Sequence, residues 1–418
     1  MPRELFIGMM SGTSLDGIDT VLVSFEEQPN RVNVHAKLKR EFPPELHREL
    51  LTAIDTIRPH SASELATLNV ELGKAYASCI MGLLHQANIA PDDVIAVGCH
   101  GQTVNHQPDA TPPFTVQLGD AETIVTETGI TTVNDFRRAD IELGGQGAPL
   151  APAFHEWAFQ QQDEIRIVVN IGGIANVTVL HPENPLLGYD TGPGNTLLDA
   201  WSWEQRQQGY DADGAWGRSG KVHARLLEQL LGDAYFVRPA PKSTGREYFN
   251  LAWMKAHMET LGEEIATADV QATLTELTAA SIAISVKHHA AENVWVCGGG
   301  AHNTFLMARL AARLAGAHVA TTNELGIPPD WVEAVAFAWL ARARLKELPA
   351  GRPSVTGARA AAVLGTIHLC PQKYTARRAR ATVHSRSLAG MPVPVRYPRA
   401  SAGLLRSRSC LLYTSDAA

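Results

Sequence analysis

An apolar strand running straight into a turn of small residues is the feature that most narrows the folds open to this chain, and it occurs three times. Leu5–Met10 enters Ser11-Gly12-Thr13-Ser14-Leu15-Asp16-Gly17 and leaves through Ile18 and Asp19 into a second strand over 20–25. Arg166–Val169 enters Asn170-Ile171-Gly172-Gly173-Ile174-Ala175-Asn176 and again leaves as a strand. Val294–Cys297 enters Gly298-Gly299-Gly300-Ala301-His302-Asn303, and the segment 304–315 that follows has a helical pattern. A turn of this kind presents backbone N–H and hydroxyl groups to an anion. The carboxylate of Asp16 stands where it can hold a divalent metal against that anion. One such turn is an ordinary hairpin; three at this spacing describe a nucleotide site. The sequence contains neither the P-loop pattern nor GxGxxG, so it points away from P-loop and dinucleotide-binding folds. Two phosphate turns on hairpins and a strand–GGG–helix turn that can pack against an adenosine suit ATP and a divalent metal such as Mg2+.

The whole chain fits that layout. Its 418 residues allow two domains. No apolar run reaches the roughly 20 residues of a membrane span, and the apolar stretch in MPRELFIG is too short for a signal peptide. The five cysteines are scattered without metal spacing and read as reduced thiols of a cytoplasmic protein. Residues 373–418 hold nine of the 36 Lys and Arg but only one of the 43 Asp and Glu, leaving 27 against 42, a net of −15, for the rest. So acidic a body argues against a nucleic-acid surface. The basic 373–418 segment lacks a sustained helical or strand period and reads as an extraneous, disordered tail rather than part of the fold.

Periodicity predicts helices over 45–57, 63–87, 196–207, 223–231, 249–260, 270–289 and 303–315, with Ser61 or Ser63 as a cap. Further strands are expected at 94–99, 115–118, 131–133, 176–180 and 186–189, with Val319 the last sheet residue. Helix 331–345, apolar on several faces, is expected between two similarly built halves. Mixed strands and helices in two similarly built halves imply an α/β fold with the ligand between the halves. Residues 1–140, with part of 345–370 packed back onto them, form the first domain, and 141–345 form the second.

Several polar clusters lie at the ends of these elements. In Gly188-Tyr189-Asp190-Thr191-Gly192-Pro193-Gly194-Asn195, Asp190 ends a strand before a loop of small and rigid residues. It suits a general base or an N-cap of helix 196–207, and Asn195 or Thr196 is the better-placed cap. His100-Gly101-Gln102-Thr103 offers polar groups to a hydroxylated ligand. The arginines of Asp135-Phe136-Arg137-Arg138 can grip a carboxylate or phosphate, and Lys242-Ser243-Thr244-Gly245-Arg246-Glu247 has a similar character. Glu333 is costly to bury unpaired and can bind sugar hydroxyls or favour a helix N-terminus.

The motifs MSGTSLDGID (10–19), CHGQTV (99–104), DFRR (135–138), LGGQGAPL (143–150), NIGGIAN (170–176), YDTGPGN (189–195), PKSTGRE (241–247), VCGGG (296–300) and FAWLA (337–341) occur in this order. Through them the chain resembles the anhydro-N-acetylmuramic acid kinase family from about residue 5 to about 369. One departure is Ala139, where the family commonly has a third arginine. The resemblance implies two ribonuclease-H-like domains of the sugar kinase/actin/Hsp70 ATPase superfamily with an interdomain active-site cleft, and an ATP- and magnesium-dependent kinase of peptidoglycan recycling. It implies that the 1,6-anhydro bridge of the amino sugar is cleaved by water while O6 takes the γ-phosphate, with Asp190 as the base. It places the nucleotide on Gly12, Thr13, Ser14, Leu15, Asp16, Gly17, Ile18 and Asp19, on Gly172 and Gly173, and on Gly298, Gly299 and Gly300, with magnesium at Asp16. Gln102, Thr103, Arg138 and Glu333 are the expected sugar contacts, and the family suggests a homodimer.

Overall fold

The computed structural model describes residues 4–12, 15–54 and 61–370. Its strands are β1 (Leu5–Met10), β2 (Ile18–Glu27), β3 (Asn30–Arg40), β4 (Val94–Cys99), β5 (Gln102–Gln107), β6 (Phe114–Leu118), β7 (Thr132–Asn134), β8 (Arg166–Ile171), β9 (Ile174–Leu180), β10 (Leu187–Pro193), β11 (Asn293–Cys297), β12 (His318–Thr321) and β13 (Thr366–His368). They form a sheet ordered β13-β7-β4-β1-β2-β3, a second ordered β10-β9-β8-β11-β12, and a separate β5–β6 hairpin. In the first large sheet β1–β2–β3 are antiparallel and β1–β4–β7 parallel. In the second, β8–β9–β10 are antiparallel and β8–β11–β12 parallel. The two sheets thus repeat one topology, as expected for similarly built halves.

Central strands in such sheets are covered on both faces, which explains their unbroken apolar runs. From β1, Leu5, Ile7 and Met9 join Leu50, Leu72 and Ile80 of helices Pro44–Ile54 and Ala62–Ala87 in one core. From β8, Ile167, Val169 and Ile171 meet Ile282 of helix Thr267–His288 and Leu306 of helix Thr304–Arg313 in another. Phe6 on β1 and Val168 on β8 share a third core with helices Ala151–Phe159 and Val332–Leu345. Helix Val332–Leu345 is buried almost all round in that layer, against β1, β2 and β4. Its close seat depends on Gly8 and Gly98, register partners on β1 and β4. A Cβ on Gly8 would overlap the Ala334 carbonyl, and one on Gly98 the Phe337 carbonyl.

Other expectations were adjusted by the structure. Helix 45–57 is described as Pro44–Ile54, its last expected residues lying outside the described ones. Ser61 is the cap of the second helix, in a capping box with Glu64. Val319 is not the last sheet residue: β12 reaches Thr321, and β13 returns to pair antiparallel with β7. Strand β3 and helices Ala121–Thr128 and Ala151–Phe159 were not anticipated. Asn195 occupies the N-cap position of helix Thr196–Arg206 but makes no side-chain cap bond; its amide donates instead to the Ile171 carbonyl at 3.3 Å. Cys99 and Cys297 are core residues. No helix among the described residues is long and apolar enough to cross a membrane. Thr13, Ser14 and the basic segment 373–418 lie outside the described residues.

Candidate active site

The first turn joins β1 to β2. Leu15 takes φ 56° and Gly17 φ 147°, and the Leu15 amide donates to the Gly12 carbonyl at 3.1 Å. The buried side chains of Leu15 and Ile18 anchor the turn in the core beneath. Asp16 is exposed and pairs with Lys39 at 2.9 Å. Asp19, one strand position into β2, has a buried Oδ1 with no hydrogen-bond partner. Burial pushes its carboxyl up to about 7; Lys39 opposes this, while Asp16, Asp330 and Glu333 add to it. Acidic groups from both ends of the chain therefore act on one corner. Among the described residues no group of three His, Cys, Asp or Glu is assembled to hold a metal directly. An orphaned carboxylate oxygen in an acidic corner nevertheless fits a magnesium ion that keeps most of its water and phosphate ligands.

The second and third turns meet at the end of β8. The Gly194 and Thr196 amides donate to the Gly173 carbonyl at 2.9 and 3.0 Å, and the Asn195 amide to Gly172 at 2.8 Å. The carbonyls of the glycine turn are thus engaged by the next loop. Arg246 lies against Gly173, with its Nη2 3.1 Å from where a Cβ would stand. In the GGG turn, Gly298 takes φ 80°, and a Cβ there would overlap the Asn170 side-chain oxygen. A Cβ on Gly300 would overlap the Ile171 side chain. The glycines therefore let the third turn lie directly on the second. Asn303 then caps helix Thr304–Arg313 through the Leu306 amide at 2.9 Å.

A polar group assembles beyond the C-terminal end of β4. The Nη2 of Arg137 donates to His100 Nε2 at 2.7 Å and its Nη1 to the Gly147 carbonyl at 2.7 Å. Its Nε is buried without a partner. Burial lowers the guanidinium to about 10, with Glu333 opposing. His100 is held well below its usual range by burial and then by Arg137, so it is neutral, with its hydrogen on Nδ1. Buried Asp140 fixes the loop that faces Arg137, accepting from the Gly147 amide and the Thr356 hydroxyl, both at 2.8 Å. Glu333, in the first turn of its helix, accepts from Asn170 at 3.4 Å. Burial raises its carboxyl, Arg137 lowers it and Asp16 raises it further. Gln102 is fully buried, with an unpartnered Oε1, and Thr103 accepts from Gln117 at 3.3 Å.

The two arginines of DFRR separate. Arg138 faces outward, 68% exposed, in a 2.7 Å ion pair with Asp135. Arg137 is the one turned toward His100 and Glu333, whereas the sequence offered both arginines and the resemblance favoured Arg138. Ala139 is half-buried against the shared core, so this position points into apolar packing.

Asp190 lies on β10 opposite Asn176, just before the register slips at Gly192. It does not cap helix Thr196–Arg206, because its Oδ2 accepts from the Thr244 amide at 3.0 Å. Its own amide donates to the Lys242 carbonyl at 3.0 Å, and its carbonyl accepts from the Tyr235 hydroxyl at 2.8 Å. Burial pushes its carboxyl up to about 6, the Thr244 amide opposes, and Glu247 adds to the rise. A carboxylate with one oxygen held and a pKa just below neutrality can take a proton from water at pH 7.

A family model for anhydro-N-acetylmuramic acid kinase matches residues 4–370. The anhydro-N-acetylmuramic acid kinases of Coxiella burnetii strains Dugway 5J108-111 and RSA 493 / Nine Mile phase I are each 48% identical over 372 residues, covering 88% of this chain and 98% of theirs. A solved activator of the 2-hydroxyisocaproyl-CoA dehydratase from Clostridium difficile aligns over 82% of this chain and 96% of its own, at 13% identity and a TM-score of 0.42.

Proposed function

This chain belongs to the anhydro-N-acetylmuramic acid kinase family, and on that premise we propose how its residues divide the work. The activity itself is ATP-dependent phosphorylation of 1,6-anhydro-N-acetylmuramic acid in peptidoglycan recycling. In our reading each large sheet with its helices is a ribonuclease-H-like lobe. The first is built on 1–140 and closed by β13 from the 345–370 segment; the second is built on 141–345, whose last helix both share. ATP lies between them on the three glycine turns, Gly12–Asp19, Gly172-Gly173 and Gly298–Gly300. Asp19, with Asp16 beside it, would hold magnesium. When bound, that ion neutralises charge on the transferring phosphoryl group. Arg246 adds a cation over the second turn.

The observation that carries the mechanism is Asp190: a half-buried carboxylate with Oδ2 held by an amide. Its Oδ1 takes a proton from water as that water attacks the anomeric carbon. The bond from that carbon to O6 breaks, its electron pair stays on O6, and O6 attacks the γ-phosphorus, so ADP leaves. Gln102, Thr103 and Glu333 face the sugar, and Arg137 takes the place expected for Arg138 at its carboxylate. The family's homodimer is part of the proposal.

The test uses H₂¹⁸O, Mg-ATP and the anhydro sugar, with mass spectrometry of the product. One ¹⁸O in the phosphorylated sugar and one ADP per product are expected; a product that keeps its anhydro ring overturns the reading in favour of direct deprotonation of a substrate hydroxyl. The arginine assignment is tested separately. A charge-assisted hydrogen bond contributes about 1.5–3 kcal/mol, so Arg137→Met should raise the KM for the sugar roughly 10- to 100-fold. Arg138→Met, which loses an exposed pair, should stay within about twofold. The reverse order in steady-state kinetics returns the role to Arg138.

A further inference from the structure

We propose that Tyr235 and Lys242 are positioning residues that clamp the 242–244 segment against Asp190 and leave one defined carboxylate oxygen, Oδ1, to act on water. The proposal rests on Asp190 being the base.

Every polar group of Asp190 except Oδ1 is tied to one stretch of chain. Its amide bonds the Lys242 carbonyl, its Oδ2 the Thr244 amide and its carbonyl the Tyr235 hydroxyl. The pairing with β9 slips register between Asp190 and Gly192 before it resumes against Ala175 and Ile174, and the 235–244 segment bonds the strand at that slip. What holds that segment is Lys242. Its Nζ donates to the Tyr235 and Phe236 carbonyls at 3.0 and 3.3 Å and stands 4.6 Å from the centre of the Tyr235 ring. Tyr235 is itself fixed by edge-on packing against Phe249 at 5.3 Å. The lysine thus neutralises two carbonyls at the C-terminus of the short helix Ala234–Val237 and pins the residues that pin Asp190.

The Thr244 amide favours the ionised carboxylate, while burial and Glu247 disfavour it. Among the remaining groups near the clamp, Arg238 faces Tyr235 and Lys242. Ser281 and Ser285 of helix Thr267–His288 approach Gly192 and Tyr189 from below without charge. Loosening the clamp weakens the one bond that favours ionisation, so the carboxyl rises.

Full-length enzyme, Mg-ATP and the anhydro sugar test this through kcat, KM and the acid limb of kcat/KM. Lys242→Met should lower kcat about tenfold, a loss expected of a misplaced reacting group. The KM for ATP should stay within about twofold, and the acid limb should move up by roughly half to one pH unit. Lys242→Arg should restore most of both. Tyr235→Phe keeps the ring packing and should move kcat and the limb the same way; it decides the matter alone if Lys242→Met does not fold. Wild-type kcat with an unmoved limb overturns the clamp, and so does a fall in kcat without movement of the limb, the mark of a merely structural role. Asp190→Asn separates the two ideas: appreciable turnover in that variant removes the base itself, whereas an inactive Asp190→Asn beside unaffected clamp variants removes only the clamp.

Discussion

Asp190→Asn should reduce turnover by about 10²- to 10⁴-fold, the usual contribution of a positioned general base, while leaving ATP affinity within about twofold. The amide keeps the shape and can still accept the Thr244 N–H, but it cannot take a proton from water. In the wild type the base must be ionised, so kcat/KM should rise as pH climbs through about 6, the value to which burial lifts Asp190; the variant's residual rate should lack that limb. Stability moves the other way. The carboxyl titrates higher in the folded chain than its ordinary 3.8, so between about pH 4 and 6 the folded state binds more protons than the unfolded one. Wild-type stability therefore declines as pH rises through that window and stays lower above it. Asn carries no such charge, so at pH 7.5 the inactive variant should melt no lower than wild type. Calorimetry beside steady-state kinetics checks both halves. A variant that loses activity because it unfolds, or that keeps near-normal turnover, removes Asp190 from its role.

The parts of this molecule most legible in its sequence are those fixed by local chemistry. Unbroken apolar runs marked β1, β4, β8 and β11 because strands covered on both faces leave no polar positions. Strand β3 was missed although Val32, Val34, Ala36 and Leu38 alternate, since an edge strand with one wet face carries Lys, Arg and Asn on the other. Strand β13 is only Thr-Ile-His, too short for any period; its place is set by pairing with β7, more than 200 residues away in the chain. Asp190 could be singled out because a strand end followed by Gly-Pro-Gly is a local signal. Arg137 could not be distinguished from Arg138, because adjacency does not say which side chain turns inward; that depends on His100, Gly147 and Glu333. The bonds that hold Asp190 are hidden for the same reason: their partners come from 45 to 54 positions on.

The second large effect concerns the floor of the site rather than its chemistry. Gly98→Ala should destabilise the protein by roughly 3 kcal/mol, the upper range for overpacking a tight contact. The new methyl would overlap the Phe337 carbonyl, and a backbone oxygen in a buried helix cannot turn aside as a flexible side chain would. Helix Val332–Leu345 must lift from β4, weakening its contacts with β1 as well. Gly8→Ala should act alike through the Ala334 carbonyl. The two glycines are register partners beneath one helix, so the double variant should cost less than the two single losses together: once the helix has lifted for one methyl, the other has part of its space. Gly209→Ala, with nothing within 4 Å of the added Cβ, should stay within about 0.5 kcal/mol. Urea midpoints at unchanged slope measure these differences. Activity should fall with stability at Gly98 and not at Gly209, because the lifted helix carries Glu333 away from Asn170, its 3.4 Å partner on β8. Additive losses in the double variant would show instead that each strand meets the helix independently, and that the two glycines do not form one seat.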